Sequence, residues 1–245
     1  MKIYGYPFQT NRFINLCIME YSGWELKYFD SSNNFRKYQF RLIKEYIGKK
    51  LLEIGPGTGV FAKKFFLDSV EDIYLSEINV NFNNMLVHEF KNNKKVKILS
   101  KKIEDIDDTF DTICYFDVLE HINFHEKEII NSLKKIKKGG HLIVMVPAFN
   151  YLFSYYDKSV GHYRRYEKKF FIDFAKANNL TCKKLIYFDS IGFFFLLINK
   201  IVNTKKKDSV GLATILWNIL IPLSKILDKI TLNSFGKSLL CIIKK

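Results

Sequence analysis

Residues 51–60 constrain the fold more than any other part of the chain. They read Leu-Leu-Glu-Ile-Gly-Pro-Gly-Thr-Gly-Val, an apolar run followed by three glycines at alternate positions. Glycines without Cβ let a loop backbone approach a ligand closely, and a helix that follows, here predicted from about residue 60 to 67, directs its free N–H groups at that ligand. The order strand, glycine loop, helix therefore predicts a nucleotide-type binding site in an α/β fold.

The details of this loop indicate which cofactor it binds. A dinucleotide fingerprint has its third glycine five residues after the first, and that position is Val60 here. Glu53 precedes the glycines, and its carboxylate would repel a pyrophosphate but attract an ammonium and a sulfonium. S-adenosylmethionine carries both positive groups, so we expect it to be the cofactor.

A second acidic residue fits the ribose of such a cofactor. Glu77 follows a predicted strand at 72–76 and lies 22 positions after Gly55. Nucleotide-binding α/β folds place an acid roughly 20 residues after the glycine loop, where it accepts hydrogen bonds from ribose hydroxyls. We therefore expect Glu77 to bind the ribose.

Four motifs along the chain resemble those of class I S-adenosylmethionine-dependent methyltransferases, in the same order. They lie at residues 51–59, 74–78, 110–122 and 133–147. The resemblance extends from about residue 35 nearly to the C-terminus. It implies an enzyme, and the predictions below that depend on this family are expectations from the resemblance.

The implied fold is α/β, a Rossmann-like, seven-stranded, mainly parallel sheet with helices on both faces. Apolar runs alternate with amphipathic helical patterns, which agrees with this fold class. Strands are predicted near 72–76, 96–99, 111–115, 141–146, 180–188 and 237–243, the last one antiparallel. Residues 1–245 form one domain, with an N-terminal helical cap at 1–48 and a helical insertion at 190–235 near the acceptor site.

The resemblance also implies the cofactor contacts. One motif departs from the family pattern, because Lys102 stands where an acidic residue usually holds the adenine amino group. Adenine is then held by backbone groups around Ile103 and by Glu104, while Tyr115 and Phe116 line the methionine end. The predicted cofactor-binding residues are Glu53, Gly55, Pro56, Gly57, Gly59, Glu77, Ile78, Ile103, Glu104, Tyr115 and Phe116.

The segment at 147–166 follows the fifth strand and is expected to cover the acceptor pocket. It contains an Asp…Gly-His-x-Arg-Arg-Tyr pattern that resembles a subgroup of bacterial methyltransferases found with sugar and cell-surface polysaccharide enzymes. Its predicted substrate-binding residues are Asp157, Arg164, Arg165 and Tyr166. The alternative is a salt-bridged loop in which Asp157 pairs with an arginine and the tyrosines pack on the sheet.

The histidines and arginines suggest an acceptor chemistry. An alcohol must lose its proton during methyl transfer, and a histidine with a pKa near 6.5 suits that role. His162 and His121 are the candidate bases, although His121 would also suit a helix cap or core position. Arg164 and Arg165 would hold a phosphate through bidentate hydrogen bonds. We therefore expect O-methylation of a small polar or phosphorylated acceptor, sugar- or nucleotide-linked, in surface polysaccharide biosynthesis, with no metal site.

The net charge of +14 raises the alternative of a nucleic-acid substrate. The lysines are spread over the whole sequence, and residues 116–119 read Phe-Asp-Val-Leu, unlike the Asn/Asp-Pro-Pro-aromatic motif of base amino-methylation. A solvated lysine-rich surface explains the charge, and no nucleic-acid partner is expected. An RNA methyltransferase, a lipid or quinone methyltransferase and a non-enzymatic binding protein remain as alternatives.

Two apolar stretches, 191–202 and 210–230, bear on location and partners. Polar residues interrupt the second one, so neither reads as an uninterrupted membrane span. They are expected to pack over the acceptor site or into a homodimer interface. The alternative is a helix at the membrane surface, flanked by Lys200 and the lysines at 205–207. No secretory signal is visible, which predicts a cytoplasmic protein, peripheral to the inner membrane face under that alternative.

Overall fold

The computed structural model describes Gly23, residues 26–202 and residues 210–245. Of Lys27, Val202 and Val210 only the backbone is described. The first 22 residues of the predicted N-terminal cap and the lysines at 205–207 lie outside the described residues.

A seven-stranded sheet runs through the described part of the chain. Its strand order is β3-β2-β1-β4-β5-β7-β6. β7 is antiparallel to β5 and β6, while the other neighbouring strands are parallel. This confirms the predicted fold class and the antiparallel last strand. The strands are β1 (Lys50–Ile54), β2 (Asp72–Ser76), β3 (Val96–Leu99), β4 (Phe110–Phe116), β5 (Ile136–Pro147), β6 (Thr181–Phe188) and β7 (Ser238–Lys244).

Helices cover both faces of this sheet. Those of the described residues are α1 (Leu26–Asp30), α2 (Asn33–Ile43), α3 (Leu67–Ser69), α4 (Val80–Phe90), α5 (His125–Lys135), α6 (Tyr155–Ser159), α7 (Lys168–Ala177), α8 (Ser190–Val202) and α9 (Val210–Ile230). A π-helical turn at Ala62–Phe66 precedes α3, so the helix predicted after the glycine loop is present but irregular. The remaining predicted elements match the observed ones to within a few residues, except β5, which begins earlier.

Two separate hydrophobic cores explain this layering. Side chains of a strand alternate between the two faces of a sheet, so an apolar strand feeds both cores. Leu52 of β1 packs with Ile129 of α5 and Phe171 of α7 on one face. Leu51 packs with Leu86 of α4 and Trp217 of α9 on the other. Strands that are apolar at successive positions are therefore buried on both sides.

The insertion between β6 and β7 consists of α8 and α9, as predicted. One stripe of α9 is buried, including Trp217, Ile221 and Asp228. The Asp228 carboxylate accepts hydrogen bonds from the Tyr38 hydroxyl at 2.7 Å and from the Asp189 N–H at 2.7 Å. These buried bonds fix α9 against α2 and the end of β6.

α9 is also the helix that meets the length and composition of a membrane span. Its segment Gly211–Ile230 has a mean hydropathy of 1.3, and 28% of the window is buried inside the protein. The buried stripe includes Ser224 and Asp228, which hydrogen-bond within the domain. Because this stripe packs on the domain, α9 presents only its opposite face to the surroundings.

Candidate active site

A cleft of about 1340 Å³ opens at the carboxyl ends of β1, β2 and β4. The strand order reverses between β1 and β4, and ligands of open α/β sheets bind beyond the strand ends at such a point. Its volume exceeds the roughly 300–1,000 Å³ of ordinary small-molecule sites. The cleft has room for a cofactor and an acceptor together.

The glycine loop forms one wall of this cleft, as predicted. Gly55, Pro56 and Gly57 line it, and the two glycines have φ values of +63° and +54°. A Cβ on Gly57 would lie 3.2 Å from Leu26 Cδ1, with no other described atom beyond its chain neighbours within 4 Å. A side chain at Gly57 would therefore strain a left-handed backbone and press against Leu26, which also lines the cleft.

Gly59 requires a correction. It was predicted to contact the cofactor, but it does not line the cleft. A Cβ at this position would lie 2.7 Å from Leu86 Cδ2 and 3.1 Å from Phe90 Cε2. Gly59 is thus needed for the close approach of α4 to the loop, at a φ of +73°.

Glu77 is held at the cleft by the backbone. Its Oε2 accepts the Gly57 N–H at 3.1 Å, and its Oε1 accepts the Asn79 N–H at 2.9 Å. Burial raises the pKa of this carboxyl, against these two hydrogen bonds. Its oxygens stay next to the loop, where a ribose could donate its hydroxyl hydrogens.

Glu53 is a buried carboxylate on the same wall. It is 3% exposed, and its Oε2 has no hydrogen-bond partner among the described residues. Burial raises the pKa of Glu53 to about 8, although the positive charge of the nearby Arg36 guanidinium lowers this pKa. A buried oxygen without a partner in a cleft is costly, and a ligand ammonium would satisfy it.

The residues that were predicted to hold adenine lie at the edge of the cleft. Ile78, Ile103 and Glu104 line the cleft, and Lys102 lines it beside them. Ile103 is fully buried, while Ile78 is 64% exposed. The Glu104 carboxylate pairs with Lys127 at 3.3 Å. Lys102 stands where the resemblance implied an acidic residue, and the neighbouring Glu104 carboxylate is already paired with Lys127.

Phe116 and Tyr115 lie on opposite faces of β4. Phe116 lines the cleft and stacks on Phe61 at 4.2 Å between ring centroids. Tyr115 is fully buried in the other core, where its hydroxyl donates to Glu128 at 2.9 Å and lies 2.6 Å from Ser132 Oγ. The predicted role of Tyr115 in cofactor binding is corrected, because its side chain points away from the cleft.

His121 and His162, the two predicted bases, meet at the cleft. Their rings contact edge to face with centroids 4.7 Å apart, and both line the cleft wall. His162 Nε2 lies 3.8 Å from Oε1 of Glu120, which is fully buried. Burial, with the neighbouring His162, lowers the pKa of His121 to about 4. Burial and the charge of Asp117 raise the pKa of Glu120 far above its usual range.

Asp157 lies behind this pair and positions it. It is fully buried, and its Oδ1 accepts hydrogen bonds from His162 Nδ1 at 2.9 Å and Arg165 Nε at 2.8 Å. Ser154 donates to its other oxygen through both N–H and hydroxyl. Burial opposes ionisation, but the His162 hydrogen bond and the Arg165 charge keep the pKa of Asp157 below its usual value.

The predicted substrate-binding set is therefore largely corrected. Asp157 does not line the cleft, and Arg165 reaches it while bonded to Asp157 and the Ala148 carbonyl. Arg164 donates to the carbonyls of Ile122 at 2.7 Å and Asn123 at 3.1 Å.

Tyr166 is also corrected. It is 2% exposed, and its hydroxyl donates to the Leu119 carbonyl. The ion pair of the alternative interpretation is present between Asp157 and Arg165. Of its tyrosines, Tyr166 is buried, whereas Tyr151, Tyr155 and Tyr163 are exposed. The two arginines point in different directions and do not form a phosphate clamp.

The sequence assigned no role to four charged residues at or beside the site, although Asp117 and Glu120 were expected near the cleft because they follow the fourth strand. Arg36 of α2 is buried, and Lys237, just before β7, is partly buried; both line the cleft. Burial lowers the pKa of Lys237 to about 8. Asp117 follows β4 with a φ of +56°, and Glu120 lies behind His121. Asp117 and Glu120 follow β4, and this position is the only sequence pattern that indicates any of the four residues.

Comparison with known proteins agrees with this geometry. The family described as "Methyltransferase domain" matches residues 18–182, which is more than half of the chain. The chain belongs to this family. It is therefore a methyltransferase.

Two similar proteins cover most of their own length. The Methanocaldococcus jannaschii protein described as "Uncharacterized protein MJ1123" is 27% identical over 78% of this chain and 90% of its own. The ubiquinone biosynthesis O-methyltransferase of Pelagibacter ubique is 25% identical over 69% and 81%, respectively.

Among solved structures, phosphoethanolamine N-methyltransferase 2 of Haemonchus contortus, in complex with S-adenosylmethionine, has the same fold. It matches 90% of this chain and 57% of that one at a TM-score of 0.60 and 14% identity. Family membership supports S-adenosylmethionine as the cofactor. The described residues fit it, since Glu53 offers an unpaired buried oxygen and the glycine loop lines the cleft beside it.

Proposed function

We propose that this methyltransferase transfers the methyl group of S-adenosylmethionine to a hydroxyl oxygen. The observation that carries the proposal is the cluster of Glu120, His121 and His162 at the cleft, with Asp157 fixing His162. A neutral amine acceptor needs less help with proton removal than an alcohol does. Two imidazoles that meet at the cleft are therefore best explained by a hydroxyl acceptor.

The residues of the cleft account for the remaining requirements. The cofactor supplies a methyl group on a positively charged sulfur, so the protein must chiefly hold the acceptor oxygen in line with it. Gly57, Glu77 and Glu53 fix the cofactor end, and Phe116, which packs in the same core as Leu51, lines the cleft there. His162, held by Asp157, is the side chain that we expect to face the acceptor hydroxyl.

The class of acceptor is a further proposal. The expectation of a role in surface polysaccharide biosynthesis depends on the resemblance of the 157–166 segment. The expectation of a phosphorylated sugar acceptor also depended on Arg164 and Arg165. Because those arginines are bonded elsewhere, the support for a phosphate group is weakened. A lipid-attached or quinone-like hydroxyl is the second candidate, and a different observation favours it.

That observation is the exposed apolar face of the helical insertion. On α9 it comprises Leu212, Ile215, Leu216, Ile219, Leu223, Ile226 and Ile230, each between 46% and 77% exposed. On α8, Ile198 and Ile201 are also exposed. The exposed Lys229 lies near the end of α9, and the exposed Lys200 of α8 donates to the Tyr151 carbonyl. An apolar face with cations at its margins suits a bilayer containing anionic lipids.

We therefore propose that this face docks on an anionic bilayer from which the cleft takes its acceptor. Leu196 of α8 lines the cleft, so the insertion connects the apolar face with the site. One relative is a ubiquinone biosynthesis O-methyltransferase, which agrees with this acceptor class. A cytoplasmic protein at the inner membrane face is the corresponding localisation.

Sedimentation with vesicles tests the docking. We expect cosedimentation with phosphatidylglycerol-containing vesicles and at least a tenfold loss of affinity for Ile215→Glu/Ile219→Glu. The control Ile172→Glu changes an exposed side chain of α7 and should have little effect. Wild type that stays in the supernatant, or a homodimer that buries α9, would overturn it.

The reaction itself is tested with methyl-labelled S-adenosylmethionine. Hydroxylated aromatic lipids, phosphorylated sugars and amine analogues are offered separately, and products are located by mass spectrometry. Label on oxygen supports the proposal, and the preferred acceptor selects between the two classes. Label found only on nitrogen or on RNA would overturn it.

A further inference from the structure

The side chains of Glu120, His121 and His162 converge from two parts of the chain. Glu120 and His121 follow β4, while His162 comes from the loop after α6. One ligand-type atom from each lies within 4.8 Å of the others. We propose that these three side chains bind a divalent transition-metal cation at the acceptor end of the cleft.

Glu120 provides the observation that hydrogen bonding within the protein does not explain. It is fully buried, yet neither carboxylate oxygen has a hydrogen-bond partner among the described residues. A buried carboxyl without partners costs several kcal/mol in general, so such groups are normally paired or bound to metal. The Nε2 atom of His162 lies 3.8 Å from Oε1 of Glu120, beyond hydrogen-bond distance.

The outer contacts of the histidines have the arrangement of metal ligands. Metal-binding histidines usually donate their second ring nitrogen to a carboxylate or a backbone carbonyl, which fixes the ring. His162 does so through Nδ1 to Asp157 at 2.9 Å, and the His121 ring is hydrogen-bonded by the backbone of Gly161. Each histidine can thus offer one nitrogen to the cluster.

The ligand set indicates which cations fit. Two imidazoles and one carboxylate favour Zn²⁺, Mn²⁺, Fe²⁺ or Co²⁺ over Mg²⁺ and Ca²⁺, which prefer oxygen ligands. Ligand atoms of a tetrahedral site with bonds of about 2.1 Å lie about 3.4 Å apart. The observed separations of up to 4.8 Å require only small side-chain rotations to reach this.

Such a cation would have open positions toward the cleft, because three protein ligands leave at least one. An acceptor hydroxyl bound there would ionise more easily. This role rests on the proposed O-methylation, and it makes His162 a ligand in place of the predicted base. The binding of the cation itself does not depend on which acceptor is used.

Cation binding is measured first, on the full chain without cofactor or acceptor. After dialysis against a chelator, we expect Mn²⁺ to bind with one equivalent by calorimetry and electron paramagnetic resonance, and Zn²⁺ to displace it. Glu120→Gln and His121→Ala should each weaken binding at least 100-fold. His125→Ala is the matched control, because His125 contacts Tyr166 and Phe170 outside the cluster.

Stability and turnover complete the test. Mn²⁺ should raise the melting temperature of wild type and His125→Ala but not of folded Glu120→Gln. Absence of saturable binding, or binding unchanged in Glu120→Gln, would overturn the site. Methylation should fall at least tenfold after chelation and return with Mn²⁺. Chelator-resistant methylation would overturn the catalytic role, whereas cation binding without any oxygen methylation would refute only the proposed function.

Discussion

The Gly57 N–H donates to Oε2 of Glu77 at 3.1 Å, which joins the glycine loop to the acid after β2. The loop and the ribose-binding candidate are thus fixed to each other before any ligand is present. A preformed arrangement lowers the entropy lost on binding. Changes to either residue should therefore affect cofactor affinity more than catalysis.

Gly57→Ala should weaken the binding of S-adenosylmethionine at least tenfold. The substitution adds a Cβ on the cleft side of a residue at φ +54°, where L-residues are strained by about 1–2 kcal/mol. Gly139→Ala is the matched control, since Gly139 has φ +85° and an added Cβ there would meet no described atom within 4 Å beyond its chain neighbours. Calorimetry should show a comparable stability loss in both variants but weaker cofactor binding only in Gly57→Ala. Equal cofactor affinities would contradict the assigned loop function.

We expect the stability of the cofactor-free protein to depend on pH through the Glu53 carboxyl. Burial raises its pKa from 4.5 to about 8, so the folded state holds a proton that the unfolded state has lost between these values. The stability associated with this proton is present below about pH 4.5 and is lost as the pH rises through 8.

Glu53→Gln should remove this part of the pH dependence. Between pH 5 and 8 the melting temperature of wild type should fall by about 5 °C or more relative to the variant. The variant should also bind S-adenosylmethionine less tightly, because a neutral amide does not attract the ammonium. Melting curves that shift in parallel for both proteins would show that Glu53 does not titrate in this range.

The role of a residue can be predicted from sequence where it depends on a local motif, but not where it depends on which face of the sheet the side chain lies on. The fold, the glycine loop and Glu77 follow from local patterns, because apolar period and glycine spacing are properties of adjacent residues. Tyr115 and Phe116 are neighbours on one strand, so only one of them could face the cleft. The sequence does not say which, since both faces of β4 are buried.

The acceptor end could not be derived in the same way. His162 lies 41 positions after His121, and their contact depends on how the loop around α6 folds back over the sheet. Gly59 illustrates a different limit, because a glycine required for helix packing and one required for ligand approach look identical in sequence. Only the neighbouring Leu86 and Phe90 distinguish them.

Arg164→Lys should lower stability by about 1 kcal/mol and leave the acceptor KM within twofold. The guanidinium spans the carbonyls of Ile122 and Asn123, a geometry that an ammonium does not reproduce. Urea unfolding and steady-state kinetics measure the two effects. A KM raised more than tenfold with unchanged stability would return Arg164 to the acceptor site.

Asp157→Asn should lower both stability and turnover, because one carboxylate holds His162 and Arg165. Removing the charge leaves the buried Arg165 without its ion partner, a change that typically costs about 3–5 kcal/mol. The exposed pair Lys169–Asp173 gives the control, and Asp173→Asn should change stability by less than about 0.5 kcal/mol.

Measuring kcat distinguishes the role of Asp157 in positioning His162 from its role in stability. In protein that remains folded at low temperature, Asp157→Asn should reduce kcat at least tenfold while cofactor affinity is unchanged, since His162 loses its orienting hydrogen bond. Arg165→Met keeps the bond between Asp157 and His162, so its kcat should fall less. If Arg165→Met were the more damaging for kcat, Arg165 and not His162 would be the residue through which Asp157 acts.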